Sequence, residues 1–350
     1  MNNKLAMIGC GTIGDYHLGH FMQYGDLIEI VGLCDLIPEK AEKFVERAGC
    51  GKAYTDFRVM LDETKPDMVF VCVPPYCHGD IEKELLERNI HFFIEKPMSL
   101  DIKFAKWVRD EIEKKGLITA VGFQMRYTNK SDYAHQFCKD NQIVFVNGTR
   151  IGGIPKIDWW GDKSLSGGQL VEAAIHECDL IRYCVGDVEE VFSYSTRGFV
   201  KESPIAYDTD DCTATTVKFK SGALGVFAGG CYAKSGNSYA SKVIFSAKDK
   251  RIEYNTFKQL DIYGEEPTKQ EDDAKFVVKG DGALGAAGEK ISIESTGDSG
   301  LICDRTFIEA VLTGDASKIR SPYADAYKTL AFVLACNESM ATGKAVKVEY

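Results

Sequence analysis

The sequence predicts an α/β domain followed by an α+β domain: a parallel sheet wound with helices, then a mostly antiparallel sheet. Three observations carry this. Over roughly the first 120 residues, short apolar runs alternate with helical patterns, and strands separated by helices pair in parallel. Beyond about Gly122, runs rich in β-branched and aromatic residues follow one another directly, as antiparallel neighbours do. At 350 residues the chain has room for two domains of ordinary size, split here as 1–122 and 123–350.

Each element follows from local pattern. "KLAMIG" is an apolar strand, and "TIGDYHLGHFMQYG" a helix closing on Gly25. "LIEIVGLCD" is the second strand. "IPEKAEKFVERAG" is the second helix, with Pro38 near its start and Gly49 after its end. "DMVFVCVP" is continuously apolar, which marks a strand buried on both faces. Helix "CHGDIEKELLERN", strand "IHFFIEKP", helix "DIKFAKWVRDEIEKKG" and strand "LITAVG" complete the alternation. In the second half, "IVFVNGTRIGGI" reads as a strand and "GGQLVEAAIHECDLIRYCVG" as one helix ending at Gly186. Five strand-like runs succeed one another between Val188 and Phe257. The polar, Gly-rich stretch from about Gly264 to Gly300 reads as a surface excursion. Two helices, "GLICDRTFIEAVLTG" and "YADAYKTLAFVLACNESMATG", and a short strand "AVKVEY" end the chain. No internal repeat or low-complexity tract interrupts this order.

Composition excludes several classes. A formal net charge of −10 with no basic block argues against a nucleic-acid binder, because phosphate contacts need clustered Lys and Arg. Lys4 is followed by too few apolar residues for a signal peptide, and no apolar run approaches the roughly 18 residues of a membrane span. A cytoplasmic protein is expected. The twelve cysteines are scattered, many within apolar runs (Cys34, Cys72, Cys184, Cys336), and none forms a Cys-x-x-Cys pair, so free thiols are expected.

Three clusters carry chemistry. The first is Gly9-x-Gly11-Thr12-Ile13-Gly14, after a strand and at the opening of a helix. There the glycines allow a tight turn, approach of a pyrophosphate, and close helix–strand packing, while the helix N-terminus faces the phosphates. Asp35 ends the second strand, about 20 residues on, where its carboxylate can accept from ribose hydroxyls and repel a 2′-phosphate. NAD is therefore expected over NADP. The second cluster is "IEKP": Glu95 and Lys96 at the carboxyl end of a strand, where ligands of open α/β sheets lie. Lys96 can donate to a substrate hydroxyl or take its proton. The third is Glu172, His176 and Asp179, within about 60° of one another on a continuous helix. His176 and a neighbouring carboxylate can form an acid–base pair. With no third or fourth ligand at recognisable spacing, no metal is expected.

Together "GCGTIG", "VPPYCHGD", "EKPMSL" and "SGGQLVEAAIHECDL" resemble the glucose–fructose oxidoreductase/inositol dehydrogenase family, Gfo/Idh/MocA, across essentially the whole chain. The resemblance implies a Rossmann domain and a second domain with an open, mostly antiparallel sheet, helices on one face, and the last helix able to pack back on the first domain. It implies Lys96 and His176 as the catalytic pair, with His176 the base and Lys96 orienting the substrate hydroxyl. Glu172 stands where the family usually carries Asp, and Asp179 is expected to orient His176 or cap the pocket wall. Pro74, Pro75 and His78 are expected along the nicotinamide end of the cofactor, and Arg126 under the nicotinamide or at the substrate mouth. Trp159 and Trp160 read either as a stacking platform for a sugar or as a hydrophobic plug. The implied function is hydride transfer between NAD and a hydroxyl of a sugar, sugar derivative or cyclitol, in a homodimer or homotetramer. The alternatives are a glycoside 3-dehydrogenase with retained, recycled NAD and, from another class, a non-catalytic NAD-binding regulator. The Lys–His pair argues against the last.

Overall fold

Each apolar run of the N-terminal third becomes a strand. In the computed structural model, residues 3–264, 275–278 and 290–350 are described. β1 (Asn3–Ile8), β2 (Ile28–Cys34), β3 (Lys52–Tyr54), β4 (Met68–Val71), β5 (His91–Ile94) and β6 (Thr119–Val121) form one parallel sheet in the order β3-β2-β1-β4-β5-β6. The helices between them are α1 (Thr12–Phe21), α2 (Pro38–Ala48), α3 (Phe57–Thr64), α4 (Asp80–Glu87) and α5 (Ile102–Lys115). Every residue of β4 is buried, as its unbroken apolar run requires. α2 has Pro38 at its start and ends at Gly49 in the left-handed region. Asp101 caps α5 by accepting from the Lys103 and Phe104 amides. β3 and α3 escape the sequence reading, since a three-residue strand shows no periodicity.

The chain divides into two compact units: residues Met1–Tyr127 with Asp298–Tyr327, and Thr128–Gly297 with Lys328–Tyr350. The chain thus returns to the first unit at Asp298. This return is driven by α10 (Ser299–Thr313), whose Cys303, Phe307 and Ile308 are fully buried in the same core as Met7, Phe70 and Phe93. Phe307 meets Phe70 edge-on at 5.4 Å between ring centroids.

The second unit contains β7 (Ile143–Ile151), β8 (Val188–Thr196), β9 (Cys212–Phe219), β10 (Leu224–Gly230), β11 (Ala240–Ala247), β12 (Arg251–Asn255), β13 (Leu260–Tyr263), β14 (Lys275–Val278), β15 (Lys290–Ile293) and β16 (Val346–Lys347). The sheet order is β14-β15-β13-β12-β11-β7-β10-β9-β8-β16, antiparallel throughout except for β7 beside β10. α6 (Asn129–Asp140) and α9 (Ile175–Val185) pack on each other and on the strands near β7, while α11 (Tyr323–Thr342) begins in the first unit and continues in the second. Burial alternates residue by residue along β9 and β11, as in a sheet covered on one face. The Gly264–Gly300 excursion is described only in part: β14 and β15 pair within it, and its remaining residues up to Lys290 lie outside the described ones. All twelve cysteines are free thiols.

Candidate active site

In the first unit, the candidate residues gather at one edge of the parallel sheet because each follows the carboxyl end of a strand. Gly9 follows β1, Asp35 follows β2, Pro74 and Pro75 lie just beyond β4, and Glu95 and Lys96 follow β5. The sheet order reverses at β1, between β2 and β4, which is where an open α/β sheet opens a crevice for ligands. Gly9 has φ +100°, and a Cβ there would lie 2.3 Å from the Cys72 carbonyl oxygen, so only glycine makes this turn. Gly14, in the first turn of α1, backs directly onto Gly9, as tight helix–strand packing demands. At Gly11 a Cβ would meet nothing within 4 Å, and no side chain caps α1 there. An open glycine at an uncapped helix N-terminus, at Thr12 and Ile13, is a cradle that fits a pyrophosphate.

Asp35 shapes that loop as well as facing it. Its Oδ2 accepts from the Cys10 amide at 2.9 Å and its Oδ1 from the Ile37 amide at 3.0 Å. Each carboxylate oxygen retains a lone pair for a ribose hydroxyl. Lys96 is half-buried, and its backbone N–H donates to Glu95 Oε2 at 3.2 Å. Glu95 is 3% exposed and lies over Gly122, where a Cβ would fall 2.2 Å from its Oε1.

Two further residues of this unit are held by side-chain hydrogen bonds. The His78 ring is buried at the start of α4, its Nδ1 2.7 Å from Glu82 Oε1, while Glu82 Oε2 also accepts from the Gly79 amide at 2.5 Å. It ties the turn after β4 to α4. Arg126 is 1% exposed and donates to Asp325 Oδ2 at 2.6 Å and to the Arg320 carbonyl at 2.5 Å. It joins the turn after β6 to the start of α11.

In the second unit the single helix read over residues 167–186 is broken. α7 (Lys163–Ser166) and α8 (Gln169–Glu172) are single turns, and Ala174, with ψ −1°, turns the chain before α9. Glu172 therefore precedes the break, and only His176 and Asp179 share a helix. Glu172 Oε2 accepts from the Trp160 indole Nε1 at 2.5 Å. Trp160 is 1% exposed, while Trp159 is half-buried. Asp179 is fully buried and accepts from Thr329 Oγ1 at 2.7 Å, which in turn accepts from Arg182 Nε at 2.9 Å.

The sequence reading passed over one feature, the pair His17 and His20 on the buried side of α1. Asp304 Oδ2 of α10 lies 2.7 Å from His17 Nδ1 and 2.6 Å from His20 Nδ1, and His17 Nε2 lies 3.1 Å from Glu95 Oε1. The three-residue spacing of the histidines was visible, but Asp304 is 287 positions from His17. Among the described residues, His17, His20 and Asp304 also place possible metal-ligand atoms within 4.8 Å of one another. Ligands at 2.0–2.1 Å around a tetrahedral ion stand roughly 3.3 Å apart. The observed separations are those of direct hydrogen bonds, so the cluster closes on itself. Burial works to lower the His17 pKa. Asp304 first, and then Glu95, outweigh it and hold the imidazole up at about 10.

A parallel sheet with a glycine cradle at its switch point and an acidic residue just after β2, followed by a largely antiparallel domain, defines a dinucleotide-binding oxidoreductase. The comparisons give the family. Residues 3–123 match the family model described as "Oxidoreductase family, NAD-binding Rossmann fold", and residues 142–266 match the Gfo/Idh/MocA C-terminal domain. The chain belongs to the Gfo/Idh/MocA family. It is 29% identical to the myo-inositol 2-dehydrogenase of Thermotoga maritima over 229 residues, 64% of this chain and 67% of that one. It is 26% identical to the D-glucoside 3-dehydrogenase of Escherichia coli over 239 residues, 63% of this chain and 68% of that one. The chain thus spans about two thirds of the length of the curated relatives it matches. Levoglucosan dehydrogenase, solved with NADH and levoglucosan, superposes with a TM-score of 0.84 at 20% identity over 100% of both chains, a likeness of fold. No helix among the described residues is long and apolar enough to cross a membrane.

Proposed function

We propose that the protein is an NAD-dependent dehydrogenase oxidising a secondary hydroxyl of a sugar, sugar derivative or cyclitol. The observation that carries this is the shared edge of the parallel sheet, where the glycine cradle, Asp35 and Lys96 all follow strand ends. Membership of an NAD-binding oxidoreductase family supports it.

NAD, when bound, supplies the hydride acceptor. The glycine cradle and the α1 N-terminus hold its phosphates, and Asp35 holds the adenosine ribose and disfavours a 2′-phosphate. His176 takes the proton of the reacting hydroxyl, a role a neutral imidazole fills as general base. The Lys96 ammonium donates a hydrogen bond to the oxygen as charge develops on it. Glu172, aimed by the Trp160 indole, binds substrate hydroxyls, with Trp159 at the same segment. Asp179, fixed by Thr329, sets the face of α9 that carries His176.

Similarity to the D-glucoside 3-dehydrogenase favours a second reading in the same class, oxidation at C3 of a glycoside. One experiment separates these: a panel of cyclitols, free sugars and glucosides with NAD, followed by absorbance of the reduced cofactor. Turnover of a cyclitol or free sugar supports the main reading, and turnover of glucosides alone supports the second. NADH binding without turnover across the panel counts against a polyol dehydrogenase.

The second unit leaves in-register apolar side chains on the open face of its sheet. Leu224 of β10 lies opposite Phe145, and Val226 lies between Asn147 of β7 and Thr216 of β9. Leu224 and Tyr194 are largely exposed. We infer that a second copy of the chain covers this face, giving a homodimer or homotetramer.

A further inference from the structure

We propose that His17 is a positioning residue for Lys96: clamped between Glu95 and Asp304, it fixes the carboxylate that receives the Lys96 backbone N–H. This rests on the reading of Lys96 as the lysine of the active site.

The geometry runs through four contacts within the first unit. Carboxylates accept and do not donate, so the His17 ring, facing Asp304 at 2.7 Å through Nδ1 and Glu95 at 3.1 Å through Nε2, carries hydrogen on both nitrogens. His17 and Asp304 are fully buried and Glu95 nearly so. An imidazolium between two buried carboxylates compensates charges that would otherwise be costly away from water. His20 adds a second donor to Asp304 at 2.6 Å, so two side chains of α1 are tied to one carboxylate oxygen of α10. At the other end, Glu95 Oε1 faces His17 while Oε2 accepts the Lys96 N–H, and the carboxylate rests against the bare Cα of Gly122. His17 closes one side of the Glu95 seat and Gly122 leaves room on the other. The carboxylate has one place to lie, and the chain at Lys96 is held to it.

A double-mutant cycle read at Lys96 itself tests this. The lysines of the full chain are reductively methylated with ¹³C, and the Lys96 resonance is assigned by its loss in Lys96→Arg. In His17→Gln this resonance should move, and its apparent pKa should shift by about half a unit or more. NADH affinity, by fluorescence titration, should stay within about twofold, because the phosphate cradle is built elsewhere. If His17 acts through Glu95, the same substitution should move nothing further in a Glu95→Gln background. An unmoved resonance in folded His17→Gln, or an undiminished effect in the Glu95→Gln background, overturns the proposal. Should His17→Gln fail to fold, Gly122→Ala pushes Glu95 from the opposite side with His17 intact. There too Lys96 must move, and an unmoved resonance rejects the idea. Turnover of Lys96→Ala tests separately whether Lys96 takes part in chemistry, so the two readings fail independently.

Discussion

Asp35 holds the Cys10 and Ile37 amides, and the proposed ribose contact would add a further hydrogen bond to its carboxylate. A hydrogen bond to a charged group contributes about 1.5–3 kcal/mol, so Asp35→Ala should weaken NAD roughly tenfold to a hundredfold and narrow discrimination against NADP. Titrating both cofactors into both proteins checks this, and tighter NADP binding by the unmodified chain would contradict it. At the reacting centre, His176→Ala and Lys96→Ala should each lower turnover on the order of a hundredfold or more. NADH binding should remain, so near-normal turnover in both leaves them only structural roles. At this scale the sequence was legible where covalent spacing fixes a residue to a strand end. Gly9, Asp35 and Lys96 are of that kind. Trp160 with Glu172, and His17 with Asp304, were not, because those pairs exist only once separate segments pack.

Elements were legible where their period or punctuation is strong, as in β4 with its unbroken apolar run and α2 between Pro38 and Gly49. The break between α8 and α9 was hidden because Ala173 and Ala174 are good helix formers, and packing overrides their preference. The α1–α10 pairing has a testable pH signature. The His17 pKa is raised in the folded state, to about 10 against an ordinary 6.5. A raised value means the folded state holds the proton more tightly. Its stabilisation is complete below about pH 6.5, declines as pH rises, and is gone once pH passes through about 10. On the order of a few kcal/mol is at stake. Thermal melts between pH 6 and 10 should show this loss in the unmodified chain, and a His17→Gln chain that still folds should lack that component. Parallel pH curves for the two would remove His17 from the account. At the start of α10, Asp298 accepts from the Gly300 and Leu301 amides at 3.0 and 3.1 Å. Asp298→Ala should cost about 1 kcal/mol, read as a lowered denaturation midpoint.

For the whole molecule, the change from alternating helices and strands to successive strands marked the two architectures, whereas the return of the chain at Asp298 left no local sign. The open sheet face yields a prediction at this scale. Val226→Lys combined with Leu224→Glu places two charges on this face beside Phe145, where a second copy would have to desolvate them. Light scattering should report an oligomer for the unmodified chain and a smaller species for the variant at the same concentration. A monomer in both would dismiss the assembly.

The return of α10 also imposes an order in time. A ribosome completes all six strands of the dinucleotide unit well before it reaches Asp298. Until α10 emerges, those strands lack Phe307 and Ile308 from their core, and His17 lacks the carboxylate that faces its Nδ1. The nascent first unit therefore waits, with apolar surface uncovered, while every strand of the second sheet except β16 is synthesised. Chains arrested before residue 298 should fail to retain NADH and should be cleaved readily by protease. Chains arrested with Thr313 clear of the exit tunnel should be the first to gain both cofactor binding and protection.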